Sequence, residues 1–156
     1  MPTMYEAIAG IVNACQPLPN VVTGGQPSEE QLRAFKEAGG GVVLDLRDPM
    51  EPRPLDEPAV VRRLGLKYHN VPVVAGALDE ATLDRILSVL RKAGRPVLVH
   101  CTSGNRVGAA LIPHLMLDHG LEEEDAVHQA MRIGLRSAEL MEWGVGYVRG
   151  GGLGNQ

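Results

Sequence analysis

The sequence predicts an α/β protein with a central, mostly parallel sheet flanked by helices. Val42-Val43-Leu44-Asp45-Leu46 and Pro96-Val97-Leu98-Val99-His100 are short, β-branched apolar runs bounded by glycine or turn residues, as expected of strands buried on both faces. Segments with apolar residues at helical spacing alternate with them. Such alternation builds a parallel sheet that binds its ligands at the carboxyl ends of the strands. The last part of the chain is helical in pattern throughout, and no internal repeat is present.

Met4 to Ala14, with Ile8, Ile11 and Val12, reads as a short helix before the break at Pro17 and Pro19. Val21-Val22-Thr23 is a short strand. Gly24-Gly25-Gln26-Pro27 then turns into a helix capped by Ser28, with Gln31 completing a capping box and Leu32 and Phe35 facing a core. That helix ends at Gly39-Gly40-Gly41, just before the first apolar strand. Prolines at 49, 52, 54 and 58 make the next stretch an irregular loop, followed by a short helix through Val61 and Leu64 and a strand at Tyr68-His69-Asn70-Val71. Asp79 opens an amphipathic helix with Leu83, Ile86, Leu87 and Leu90 on one face and Arg91-Lys92 at its C-terminal end, where cations suit the helix dipole. After the strand ending at His100 come Cys101, a glycine-containing turn and a helix carrying Val107, Leu111 and Leu115, with a kink at Pro113. Glu122 to Asp125 begin another helix whose apolar side is Ala126, Ala130, Met131 and Ile133. A last helix is expected over about Arg136 to Trp143, closed onto the core by Trp143 and Tyr147.

At 156 residues the chain suits one compact domain, taken as residues 1–149 with 150–156 as a flexible tail. Hydrophobic residues make up 44% and charged residues 22%, ordinary for a globular protein. The formal charge of −4 offers no broad basic field for nucleic acid or an anionic membrane, so an anion must be gripped at one local site. No apolar run approaches the roughly 20 residues that span a bilayer, and Met1 to Gly10 lacks a basic region followed by an apolar stretch. With only Cys15 and Cys101, far apart and in dissimilar settings, a disulfide framework is not expected and a cytoplasmic location is.

The chemistry is expected in His100-Cys101-Thr102-Ser103-Gly104-Asn105-Arg106. A strand that ends in Cys and turns into a helix places the sulfur at a helix N-terminus, where the backbone N–H groups from Thr102 to Val107 can converge on an anion and on the thiolate. Gly104 relieves the tight loop of Cβ clashes. Arg106 adds a permanently charged planar fork for two oxygens of a phosphate or similar group. The same positive potential favours the Cys101 thiolate as a nucleophile, and a covalent cysteinyl intermediate follows. His100 is expected to order the loop by hydrogen bonding rather than to attack. The substrate-binding set is therefore Thr102, Ser103, Gly104, Asn105, Arg106 and Val107.

His-Cys-x-x-Gly-x-Arg resembles the signature of the cysteine-dependent protein phosphatases, whose usual form is His-Cys-x5-Arg, shortened here to four residues between Cys101 and Arg106. The short form resembles the bacterial beta-lactamase-hydrolase-like (Blh) phosphatases, relatives of the dual-specificity phosphatases. Thr23-Gly24-Gly25-Gln26-Pro27-Ser28, Val42 to Arg47 with Glu51, and Val71-Pro72-Val73 agree in order, so the likeness spans about residues 20 to 120. It implies a dual-specificity phosphatase fold. It also implies hydrolysis of phosphate monoesters, including phosphotyrosine or phosphoprotein, with neither metal nor cofactor. The family's general-acid aspartate has no clean counterpart in Val73 to Asp79. Asp79 is the nearest carboxylate, though an N-cap role competes for it, and Asp45 and Asp48 at the end of an inner strand are further candidates. Val107 stands where the family usually has a Ser or Thr that eases departure of the thiolate, so slow turnover is expected.

Two other functions share these residues. A Cys-x4-Arg loop is also used by rhodanese-type sulfurtransferases, although Gly24-Gly25-Gln26-Pro27 and the segment from Asp118 to Gly134 look like a dual-specificity phosphatase. Val107 and the missing acid would also suit a pseudo-phosphatase that binds phosphate without turnover. His114, His119 and His128 form no tight metal pattern with Cys101 and are expected as surface residues, and Cys15 as a small buried one. The expected partner is a phosphorylated protein or small molecule, and the oligomeric state is not legible.

Overall fold

The computed structural model describes residues 2–150; of the expected C-terminal tail, residues 151–156 lie outside them. The elements are α1 (Met4–Ile8), β1 (Cys15–Leu18), β2 (Val21–Gly24), α2 (Glu29–Glu37), β3 (Val42–Asp45), α3 (Glu57–Arg63), β4 (Lys67–Asn70), α4 (Glu80–Lys92), β5 (Val97–His100), α5 (Asn105–Pro113), a π-helical turn (His114–Asp118), α6 (Glu123–Ile133) and α7 (Ala138–Arg149). The strands form one sheet in the order β1-β2-β5-β3-β4. β2, β5, β3 and β4 run parallel, and only edge strand β1 is antiparallel. The expected α/β class and mostly parallel sheet are borne out.

Side-chain alternation divides the core. Leu98 of β5 is in register with Val22 and Val43, and all three pack on one face with Ile8, Leu32, Phe35, Val60 and Val61 of α1, α2 and α3. Val97 and Val99, with Val21, Val42 and Leu44, face the other way into α4, α5, α6 and α7. Because β5 lies at the centre, its carboxyl end is enclosed by loops from both sides, which is where a parallel sheet holds a ligand.

The Ser28 capping box forms as expected: Gln31 N–H donates to Ser28 Oγ at 3.2 Å, and Ser28 N–H to Gln31 Oε1 at 2.8 Å. Several elements differ from expectation. β1 crosses the supposed proline break; Pro17 is tolerated because this is an edge strand, where a missing N–H need not cost a ladder bond. α7 starts at Ala138, behind the Ser137 cap, and runs on to Arg149 through Gly144 and Gly146. A Cβ at Gly144 would lie 2.5 Å from the Ala109 carbonyl oxygen, so this glycine lets α7 press against α5 rather than ending it. Pro113 is followed not by a simple kink but by the π-helical turn, on which His114 is buried and bonded to Asp118 at 2.7 Å, contrary to its expected surface role. Met131, expected inside, is exposed, whereas Tyr147 is buried and donates to Asp84 at 2.6 Å.

Candidate active site

Strand β5 delivers His100 and Cys101 to the mouth of the sheet, and the chain re-enters a helix at Asn105. Gly104 is the N-cap, with φ of 95°, and a Cβ there would lie 2.4 Å from the Ile133 carbonyl oxygen. Its N–H donates to the Cys101 sulfur at 3.1 Å. The first intrahelical bond of α5 runs from Gly108 N–H to Gly104 O, so the amides of Asn105, Arg106 and Val107 lie in the unsatisfied first turn, as an anion-binding N-terminus requires. Cys101 itself is buried.

Neighbouring segments clamp the loop through its backbone. Cys101 N–H donates to Gly24 O, Gln26 N–H donates to Thr102 O at 3.2 Å, and Asn13 Nδ2 donates to Ser103 O at 2.8 Å. A Cβ on Gly25 would sit 2.3 Å from Thr102 O, so the Gly24-Gly25-Gln26-Pro27 motif is a seat for the cysteine loop. Asn105 accepts from the Arg136 N–H at 2.7 Å and ties α5 to the α6–α7 connection. Val107 turns its side chain into the core and leaves only backbone to the loop, while Thr102 and Ser103 are exposed.

Arg106 is held by Glu51 in a two-bond fork, Nη1 to Oε2 at 2.7 Å and Nη2 to Oε1 at 3.1 Å, and it also donates to Thr102 Oγ1 at 2.9 Å. Burial opposes the Arg106 charge, but Glu51 and the facing Cys101 sulfur offset it and hold the guanidinium pKa above its ordinary value. The Arg106 hydrogen bond, outweighing partial burial and joined by the Asp48 N–H and Arg47, lowers the Glu51 carboxyl to about 2.

Beneath the loop lies a buried ionic network. His100 Nε2 contacts the Glu57 carboxylate, and its Nδ1 faces the Cys101 carbonyl oxygen at 3.3 Å, so the histidine has the expected loop-ordering place. Gln26 Nε2 donates to Glu57 at 2.8 Å, and Arg47 donates to Gln26 Oε1 at 2.7 Å. Burial works against the Glu57 charge, and His100, Gln26 and Arg53 more than compensate, leaving its carboxyl below the usual range. Among the described residues Asp45, Glu57 and His100 form a cluster that could hold a metal ion, but Arg53 is paired with Asp45 and lies 3.8 Å from Glu57, supplying the positive charge a metal would bring.

The two aspartates favoured as general acid are committed elsewhere. Asp45 is fully buried, accepting from the Arg47 N–H at 2.9 Å and the Tyr68 hydroxyl at 2.6 Å. Asp79 caps α4, bonded to the Thr82 N–H at 2.9 Å and the Thr82 hydroxyl at 2.6 Å, and these bonds hold its carboxyl below its ordinary range. Neither lines the cleft of about 660 Å³ that opens beside Arg106. That cleft has three carboxylates, Asp48, Glu51 and Glu139, and an apolar wall that includes Met50, Val73, Val74 and Leu140. The roles of Gln26, Arg53, Glu57 and Tyr68 were not legible in advance. A polar Gln between a glycine pair and a proline was the one available signal, since that position later proves to bond both Glu57 and Arg47.

The fold is that of the cysteine-dependent phosphatases, with the cysteine loop at the carboxyl end of the central strand. No family model matches the chain. It is similar to a DUF442 protein from Shewanella putrefaciens CN-32 that carries a provisional phosphatase name, with a TM-score of 0.78 and 22% identity over 94% of this chain and 98% of that one. The core catalytic domain of the PP-IP phosphatase SIW14 from S. cerevisiae, in complex with citrate, matches with a TM-score of 0.73 at 18% identity, covering 86% and 85% of the two chains. P. aeruginosa TpbA, as a Cys→Ser variant in complex with pTyr, matches at 0.70 and 19% identity over 89% and 84%. In sequence, the beta-lactamase hydrolase-like protein of Xylella fastidiosa strains Temecula1 and 9a5c is 34% identical over 86 residues, 53% of this chain. The matched part is 20% of that protein's length, so the chain spans only a fraction of these relatives. Among the described residues no helix is long and apolar enough to cross a membrane.

Proposed function

We propose that the chain is a cysteine-dependent phosphatase that hydrolyses phosphate monoesters, on protein or small-molecule substrates, through a phospho-cysteine intermediate. The observation that carries this is the Cys101 sulfur seated under the Gly104 N–H at the mouth of α5, facing the Arg106 guanidinium. The Cys101 thiolate attacks phosphorus in line, forming a sulfur–phosphorus bond as the bond to the leaving oxygen breaks. Arg106 and the first-turn amides stabilise the equatorial oxygens. Water then cleaves the phospho-cysteine, releasing phosphate and restoring the thiolate. Of the cleft carboxylates, Glu51 is held ionised by Arg106 and Glu139 is exposed at the rim. Asp48 lines the cleft partly enclosed, its Oδ1 accepting from the Met50 N–H at 2.9 Å, and it is the carboxylate assigned here to protonate the leaving oxygen.

A second reading, sulfur transfer through a Cys101 persulfide, is favoured by the buried side chain of Val107, since persulfide exchange needs no hydroxyl to assist departure from phosphorus. A paired assay separates them: p-nitrophenyl phosphate hydrolysis beside sulfur transfer from thiosulfate to cyanide, with Cys101→Ser and Arg106→Ala as controls. Phosphate release that Cys101→Ser abolishes while retaining oxyanion binding, with both lost in Arg106→Ala, is the expected result. Thiocyanate without phosphate release would move the protein to sulfur chemistry, and silence in both would mark a phosphate-binding module.

A further inference from the structure

The turn between α1 and β1 reaches the cysteine loop through one side chain. Ala14 N–H donates to Ile11 O at 3.1 Å, closing a turn in which Asn13 is the third residue, with φ of 54°. Among the described residues it is the one non-glycine residue with a positive φ, a conformation that glycine adopts freely and asparagine better than most others. Glycine would serve the turn alone. Asparagine adds an amide, and Asn13 Nδ2 donates to Ser103 O at 2.8 Å, the one hydrogen bond to that carbonyl among the described residues. The turn is itself anchored to the seat of the loop. Val12 O accepts from the Gly25 N–H at 2.9 Å, and buried Ile11 lies so close to Gly24 that a Cβ there would come within 2.7 Å of its Cγ2.

The peptide that Asn13 holds is the one whose N–H reaches the sulfur. Ser103 O and the Gly104 N–H belong to one planar trans unit and point to opposite sides of it, so fixing the oxygen fixes the N–H, 3.1 Å from Cys101 Sγ. Glycine at 104 offers no side chain to resist rotation of that plane. A rotated plane would turn a carbonyl oxygen toward the sulfur in place of the donor. On the carbonyl's other flank lies Gly134, where a Cβ would stand 3.0 Å from Ser103 O; it leaves room for the oxygen without bonding it. Resting on the phosphatase reading above for its bearing on turnover, we propose that Asn13 is a positioning residue for Cys101. It locks the Ser103–Gly104 peptide with its N–H on the sulfur, and a hydrogen bond donated to the thiolate favours the charged, nucleophilic form. The charged groups around the sulfur, Arg106 with Glu51 and Arg47, and His100 with Glu57 beneath the loop, are left in place when Asn13 is changed.

The test follows alkylation of Cys101 by iodoacetamide across the pH range, read by peptide mass spectrometry so that Cys15 is scored apart, beside kcat/KM for p-nitrophenyl phosphate. Asn13→Gly keeps the turn and removes the amide. Asn13→Asp keeps the shape and the tolerance of positive φ but sets an acceptor against Ser103 O. Circular dichroism checks that both fold, and Asn13→Gly, the variant that relieves the backbone, decides the matter if the other does not. On the acid limb of the profile both variants are expected to alkylate Cys101 about three- to tenfold more slowly than the wild type, with the alkaline plateaus in agreement. A fall of similar size in kcat/KM is expected with it. A merely structural role would slow alkylation or speed it at every pH alike. Such a uniform change, or a profile in Asn13→Gly that matches the wild type, would overturn the proposal, and an unmoved kcat/KM would overturn its part in turnover. No hydrolysis of p-nitrophenyl phosphate by the wild type would instead overturn the phosphatase reading, while the alkylation profile would still decide what Asn13 does for the thiolate.

Discussion

Glu51 and Arg106 hold each other across the mouth of the loop, and that pairing links the site to pH. The Glu51 carboxyl titrates at about 2 in the folded chain, below the ~4.3 of an unfolded glutamate. A depressed folded pKa means its stabilisation is fully present above the unfolded value and is lost as pH falls towards about 2. Urea midpoints followed from about pH 5 down to pH 2 should therefore fall for the wild type and fall less steeply for Glu51→Gln. At Asp48, removal of the acid is expected to matter in proportion to how poor the leaving group is. Asp48→Asn should lower kcat about 100-fold on an alkyl phosphate and only a few-fold on p-nitrophenyl phosphate. Equal losses on both would assign the residue to structure. Val107 is fully buried with its side chain turned from the loop into the core, so Val107→Thr is expected to leave kcat within a few-fold of wild type while costing about 1–3 kcal/mol of stability for the buried hydroxyl, read from urea midpoints and p-nitrophenyl phosphate kinetics.

Elements that pack by alternation or heptad-like spacing were readable, and those that depend on tertiary contact were not. The β-branched runs at β3 and β5 and the capped amphipathic helices α2 and α4 declare their period in a few residues. β1 hides behind Pro17, because edge position, which excuses a proline, is a property of the sheet and not of the segment. α7 hides behind Gly144, whose purpose is contact with Ala109 in another helix. The same distinction governs the loop between β2 and α2. Gly25 read as a turn residue, but its place against Thr102 O makes it a spacer for the cysteine loop. Gly25→Ala is accordingly expected to cost about 1–3 kcal/mol and, by displacing the loop, about 100-fold in kcat/KM. A melting curve and p-nitrophenyl phosphate kinetics on the same preparation would separate the two effects.

Across the whole molecule, one central strand delivers the cysteine while loops from both sides of the sheet supply what surrounds it: Gly24 and Gln26 from β2, Asp48 and Glu51 from β3, and Ser137 and Glu139 from the α6–α7 connection and α7. The loop that joins Cys101 to Arg106 was legible because it is local, five positions on one strand-to-helix turn. The charge network of Glu57, Arg53 and Tyr68 was not, since its members meet only through the parallel register of β3 and β4 and the start of α3. Of the candidate acids, Asp45 sits on β3 but is fully buried, whereas Asp48, past the strand end, lines the cleft, a difference set by the fold around them. The central claim is that Cys101 carries the phosphoryl group during turnover. Acid quenching of the wild type within the first turnover of p-nitrophenyl phosphate, followed by peptide mass spectrometry, tests it most directly. The account predicts one phosphoryl group on the peptide containing Cys101, absent in Cys101→Ser; phosphate release with that peptide unmodified and Cys101→Ser still active would contradict it.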